Sequence, residues 1–226
     1  MSNNCSDLSI VVLPDGAVSI GDSAFEGSTS LVSIIISEGI TSIGYSAFED
    51  CTSLISVSIP ESVTTMDGSV FYGCTSLASV TVPGSISSIE GYSFYGCTSL
   101  QSVTLLEGIT SIGYSAFYGC SSLTSITIPE GMTTLEDSVF QNCTSLTSVV
   151  IPGSVTSIGC RAFKGCTQLA EVTCHATVPP VLELFDGACQ NVHFEKGGVL
   201  YVPNGCVEKY RFSNWGFYFD EIVGVG

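Results

Sequence analysis

One phenylalanine fixes the plan of this chain. Phe25, Phe48, Phe71, Phe94, Phe117, Phe140 and Phe163 recur at a spacing of 23 residues without a slip. A leucine column keeps the same step through Leu8, Leu31, Leu54, Leu77, Leu100, Leu123, Leu146 and Leu169. So does a cysteine column, Cys5, Cys51, Cys74, Cys97, Cys120, Cys143 and Cys166, with Ser28 in its one gap. Self-similarity at this period, unbroken by any insertion, belongs to solenoids in which each repeat is one coil. No coil can bury its own apolar residues; each needs a neighbour above and below.

A single unit, Cys51 to Gly73, shows how a coil is written. Leu54, Val57 and Ile59 alternate with Ser56 and Ser58, the period of a short half-buried strand. Pro60 ends that strand by removing a donor. Glu61 and Ser62 turn the corner, and Val63 and Met66 point inward from a second extended stretch. Gly68 to Gly73 reads as a tight helical or 3₁₀ turn whose phenylalanine plugs the space between coils. Eight such strands, stacked at about 4.8 Å, make a parallel sheet.

Composition narrows the classes further. A hydrophobic fraction of 45% excludes disorder, and no apolar run approaches the roughly 20 residues that cross a bilayer. The net charge is −16, and all five basic residues (Arg161, Lys164, Lys196, Lys209, Arg211) follow position 160. The first 160 residues therefore offer no phosphate-binding surface, and nucleic acid is not expected as a partner.

The column cysteines read as reduced core residues, because free Cys is among the most buried types. Disulfides between adjacent coils are the alternative, but in-register side chains point parallel rather than at each other. Zinc is disfavoured: there is no CxxC, and His175 and His193 lie outside the column. Cys5, Leu8, Val11, Leu13 and Pro14 already hold repeat positions, so residues 1–175 read as repeats entered in mid-unit without an N-terminal cap. Nothing in the opening residues resembles a secretory signal. Residues 176–226 read as a divergent terminal repeat and C-terminal cap: an irregular coil around Phe185, a last strand at 199–203, a short amphipathic helix from Val207 to Trp215, and an aromatic cluster.

No catalytic constellation is evident. Cys174 and His175 adjoin, but adjacent strand residues face opposite ways, and no phosphate loop precedes a helix. An enzyme, a cofactor and a metal site are not expected. The acidic column Asp15, Glu38, Glu61, Glu107 and Glu130 offers one carboxylate per coil, a solvated face rather than a calcium ladder. What remains is binding surface. Outward residues of the sheet form a hydroxyl field containing Ser56, Ser79, Thr81, Ser102, Thr104, Ser125 and Thr127. A second field runs along the other extended stretch, from Thr41-Ser42 to Thr156-Ser157. A tyrosine ladder, Tyr72, Tyr95 and Tyr118, brings contact area at low entropic cost.

Units such as Gly119 to Gly131 (Gly-Cys-Ser-Ser-Leu-Thr-Ser-Ile-Thr-Ile-Pro-Glu-Gly), followed by Thr133-Thr-Leu and a phenylalanine, resemble the leucine-rich repeats of BspA-like surface proteins. The ending, Leu200-Tyr-Val-Pro with Tyr210, Trp215, Phe219 and Ile222-Val223, is similar to their terminal coil. The expected fold class is a β-rich α/β solenoid: a right-handed leucine-rich-repeat superhelix of 23-residue units with about eight parallel strands and a C-terminal cap. The resemblance implies a non-enzymatic, extracellular or cell-surface adhesin whose ligand is a host or neighbouring-cell protein, such as a matrix protein. The alternative is a structural or assembly segment whose open N-terminal edge docks on another repeat or chain, with end-to-end self-association through strand 8–13. A glycan- or ice-binding hydroxyl face is more remote.

Overall fold

The computed structural model describes residues 9–14, 16–183 and 194–226. Each coil carries a longer strand and a shorter one. The pairs run β1 (Ile10–Val12) with β2 (Ser19–Ile20), β3 (Ser33–Ile35) with β4 (Ser42–Ile43), and β5 (Ser56–Ser58) with β6 (Thr65–Met66). They continue with β7 (Ser79–Val82) and β8 (Ser88–Ile89), β9 (Ser102–Leu105) and β10 (Ser111–Ile112), and β11 (Ser125–Thr127) and β12 (Thr134–Leu135). The last are β13 (Ser148–Ile151) with β14 (Ser157–Ile158) and β15 (Glu171–Cys174) with β16 (Val181–Leu182). The cap adds β17 (Val199–Pro203), α1 (Val207–Arg211), a 3₁₀ turn at Asn214–Phe217 and β18 (Glu221–Val225).

The odd-numbered strands and β18 form the main face, every pair parallel and in register: Ser56 lies beside Ser79, and Ser79 beside Ser102. The face is a parallel solenoid sheet as expected, and it is longer than eight strands because β17 and β18 continue it. It consists of two five-stranded ladders, parted between β9 and β11. Val103 and Leu105 on β9 are only half-buried, whereas their counterparts Val80 and Val82 are buried. The corner after β9 leans back on the preceding coil. Leu106 N–H donates to Val82 O at 3.1 Å. A Cβ on Gly84 would stand 1.9 Å from Glu107 O, so the glycine that interrupts the acidic column permits that approach.

The segment read as a helical turn is different. Ser69 (φ 59°) and Gly73 (φ 69°) are left-handed, and so are the equivalent residues Ser23, Ser46, Tyr92, Ser115, Ser138 and Arg161 in one column. Gly27, Asp50, Gly96, Gly119, Asn142 and Gly165 occupy the other. Two left-handed residues per corner forbid a right-handed helix and turn alternate amides sideways. Ser69, Phe71 and Gly73 donate to Gly91, Ser93 and Tyr95 of the next coil at 2.8 to 3.0 Å, while Tyr72 and Cys74 donate within the corner to Ser69 and Phe71. The corner is thus laterally hydrogen-bonded like a third sheet.

Inside, the phenylalanine column is a continuous stack. Rings from Phe25 to Phe163 follow one another at 5.2 to 5.6 Å, nearly parallel, and Phe48 through Phe163 are fully buried. Phe194 extends the stack from the cap at 5.0 Å, and Trp215 then closes it at 5.2 Å. Trp215 Nε1–H donates to Pro180 O at 2.8 Å, and Tyr210 O–H donates to Ala176 O at 2.7 Å, so the two largest cap side chains bury their polar atoms satisfied. The expected helix is realised as α1 and the 3₁₀ turn. The irregular coil around Phe185 lies outside the described residues.

Candidate functional site

The cysteine column proves to be part of the scaffold. Cys51, Cys74, Cys97, Cys120, Cys143 and Cys166 are free and buried. Each thiol donates to the carbonyl of a phenylalanine 26 residues earlier, from Cys51 to Phe25 O through Cys166 to Phe140 O, at 3.1 to 3.2 Å. Burial pushes the Cys51 and Cys166 thiols up to about 12 and raises those of Cys74, Cys97, Cys120 and Cys143 as well. Protonated, inaccessible sulfur is neither a nucleophile nor a metal ligand. Cys5 lies outside the described residues, and Cys160, off the column, is disulfide-bonded. Among the described residues no His, Cys, Asp and Glu cluster could hold a metal ion. Cys174 is buried under the Tyr210 hydroxyl, whereas His175 is exposed, so the two do face apart. In the acidic column Glu38, Glu61, Glu107 and Glu130 are all exposed, and Asp15 lies outside the described residues.

The two hydroxyl fields differ in what the fold asks of them. Along the second stretch Thr41, Thr64, Thr110 and Thr156 donate to backbone carbonyls of the preceding coil at 3.1 to 3.3 Å. These hydroxyls stitch coils together. On the main face Ser56, Ser79, Thr81, Ser102, Thr104, Ser125 and Thr127 are all exposed. None of the seven side chains bonds to protein; the register aligns Ser56–Ser79–Ser102 and Ser58–Thr81–Thr104 in two rows over β5 to β9, and Ser125 and Thr127 stand on β11 beyond the break in the ladder. At one end the rows turn apolar: Ile10 and Val12 on β1 and Ile35 on β3 are more than half exposed.

The tyrosine ladder stacks as its spacing implies, with Tyr72–Tyr95 at 4.8 Å and Tyr95–Tyr118 at 4.6 Å. Tyr118 Oη accepts Asn142 Nδ2–H at 3.0 Å, and burial with the neighbouring phenols raises the Tyr95 hydroxyl above its ordinary value. Sequence reasoning missed three more tyrosines at this corner. Tyr92 meets Tyr95 and Tyr114 edge-on at 5.8 and 4.8 Å, and the Tyr45 hydroxyl lies 3.5 Å from Ser69 Oγ. Tyr45 and Tyr114 share one register position, where Gly68 and Gly91 stand between them, and that pairing was the available signal. Tyr45, Glu49, Ser69, Tyr72, Tyr92 and Tyr95 line a groove of about 360 Å³. It contains no sheet-face residue, so ladder and hydroxyl field are separate surfaces.

A unit of this length, with buried Leu, Phe and Cys columns and inward strand positions, is diagnostic. The model of the BspA type leucine rich repeat region matches residues 2–97 and 68–183, with six copies. The chain belongs to that family. Among solved structures it is similar to a Treponema pallidum leucine-rich repeat protein, at 33% identity over 71% of this chain and 78% of that one, with a TM-score of 0.66. A Bacteroides ovatus leucine-rich repeat protein is 28% identical over 97% of this chain, with a TM-score of 0.65. The chain spans only 55% of that protein. The pneumococcal vaccine antigen PcpA shares the fold at 20% identity, over 97% of this chain and 69% of that one, with a TM-score of 0.52. No curated protein matches. The family supports a protein-interaction repeat module. Among the described residues no helix is long and apolar enough to cross a membrane.

Proposed function

We propose that the chain is the binding module of a bacterial surface adhesin and that the β5–β11 face holds its ligand, a matrix or cell-surface protein. The carrying observation is the division of labour between the hydroxyl fields: one is consumed by inter-coil bonds, while the other stands exposed, aligned and unused by the fold. The broad sheet face of a solenoid suits an extended partner. Contacts there are hydrogen bonds and shape, since the rows are uncharged; the surrounding carboxylates steer basic partners and make association salt-sensitive. Family membership supports a cell-surface location. The test is interferometry against immobilised matrix and plasma proteins. Thr104→Arg with Ser125→Arg is expected to abolish capture while leaving the circular dichroism spectrum unchanged. A ligand that tolerates both substitutions but is lost on changing the corners or cap overturns the sheet-face assignment.

A second reading, end-to-end self-association, draws on β1. Ile10 and Val12 are 62% and 66% exposed, and among the described residues no strand pairs with the side of β1 away from β3. Concentration-dependent sedimentation, abolished by Val12→Lys, would support it.

A further inference from the structure

The groove of tyrosines is a second surface, and its chemistry differs from that of the hydroxyl field. Its walls are the rings of Tyr45, Tyr72, Tyr92 and Tyr95, and its polar groups are Ser69 and Glu49. Its volume, about 360 Å³, sits at the low end of ligand sites, which run to about 1,000 Å³. Tyr45 is 55% exposed and Tyr114, at the next ring contact, 52%. Ring faces are negative and attract cations. Glu49 adds a formal charge: the Ser46 hydroxyl holds one of its oxygens, and the other takes no protein donor. Asp50, Asp67 and Glu90, exposed on the same corners, deepen the field. No Lys or Arg occurs before Arg161, so no cation on these coils serves the site from within.

The backbone carries a separate sign. Tyr92 is left-handed at φ 61°, in a column where the preceding coils have Ser23, Ser46 and Ser69 and the next has Ser115. A bulky side chain is disfavoured in that region, and strain of this kind gathers at functional sites. Serine fills this position in the five other coils from Ser23 to Ser138, and only Tyr92 and Arg161 depart from it with bulkier side chains. Gly91 completes the arrangement, since a Cβ there would come within 2.9 Å of the Tyr114 ring that packs edge-on to Tyr92.

We propose that this groove docks an arginine of an extended segment in a partner protein, its guanidinium stacked on the tyrosine faces and forked to Glu49. Arginine fits better than lysine because the guanidinium is planar, weakly hydrated, and able to stack and pair with a carboxylate at once. The proposal rests on the reading of the chain as a protein-binding module and adds a partner chemistry at a second surface.

Fluorescence anisotropy with a labelled Gly-Arg-Ser-Arg-Gly peptide tests it, beside its lysine and citrulline counterparts. The arginine peptide is expected to bind, the lysine peptide to bind several-fold more weakly, and the uncharged citrulline peptide not to bind. Tyr92→Ser, Tyr95→Gln and Glu49→Gln are each expected to weaken binding about tenfold. Tyr92→Ser restores the residue its column favours, so its melting temperature should equal or exceed that of the parent, and lost binding cannot then be blamed on lost folding. Three outcomes overturn the proposal: parental affinity retained in all three variants, equal affinity for arginine and citrulline, or occupation of the groove by a neutral oligosaccharide in place of the peptide. The Thr104→Arg and Ser125→Arg pair keeps the readings apart. If it loses a matrix ligand while the arginine peptide fails to bind the parent, the sheet-face reading stands and the groove proposal falls.

Discussion

Raising the pH should unzip the solenoid through its sulfur column. The six column thiols are buried against phenylalanine carbonyls and stay protonated in the folded chain well beyond their ordinary value of 9.0, with Cys51 and Cys166 held to about 12. In the unfolded chain they ionise near that ordinary value, so above it the unfolded state binds fewer protons and stability falls with rising pH. The stabilisation is complete below pH 9 and is lost progressively between the unfolded value of 9.0 and the raised folded value of about 12. One unit above the unfolded value, each thiol removes about 1.4 kcal/mol, and six together remove about 8 kcal/mol, against a usual total of roughly 5–15 kcal/mol. Tyr210, also raised by burial, acts in the same direction but only above its ordinary value of 10.0, so the first part of the decline belongs to sulfur. Urea midpoints followed by circular dichroism in the presence of reductant should hold steady to pH 8 and collapse by about pH 10. Cys174, off the column, is raised by burial as well, so replacing Cys97 and Cys120 by serine removes two of seven raised thiols and should flatten the decline by roughly a quarter. Native thiols should also resist a thiol-reactive dye at pH 8 until denaturant is added. Stability that is flat from pH 8 to 10.5, or an unchanged slope in the double variant, would refute the account.

Two other perturbations probe the interior. Phe94→Ala deletes a ring buried between Phe71 at 5.4 Å and Phe117 at 5.2 Å, and should cost roughly 3–5 kcal/mol in chemical denaturation. Phe25→Ala, at a half-buried ring, should cost less than half as much, and equal costs would deny the ring column its role. Gly84→Ala drives a Cβ into Glu107 O and should destabilise by about 1–3 kcal/mol, whereas Gly21→Ala, with nothing within 4 Å, should leave the melting temperature unchanged.

The coil was legible because its signals are local and repeated. Leu54, Val57 and Ile59 announce a strand wherever they recur, and an unbroken period leaves their counterparts no place but the neighbouring coils. The corner was misread because serine is not a residue that advertises a left-handed backbone; Ser69 adopts one because lateral bonding to Gly91 demands it. The thiol bond to a carbonyl 26 residues back depends on coil pitch, which no single unit encodes. Tyr72, Tyr95 and Tyr118 could be found because they share a column. Tyr92 escaped because it belongs to a serine column and reaches the ladder only after the corner turns left. In the cap, β18 was missed because Ile222 and Val223 stand alone in sequence and become a strand only beside β17.

The two left-handed columns also govern how such a chain can change length. Every corner must bring a Ser69-type and a Gly73-type position to the same place, where alternate amides reach into the next coil. Loss of one codon would put a bulky inward residue into a left-handed position and sever the bonds to both neighbours. A complete unit duplicated between any two coils meets matching surfaces on either side. The geometry therefore lets the gene for this fold grow and shrink by unequal exchange among its own repeats, with coil number changing while the cross-section is kept. Features confined to a few coils, the tyrosine groove among them, then travel along the axis as cassettes, gained, copied or discarded without refashioning the scaffold that carries them.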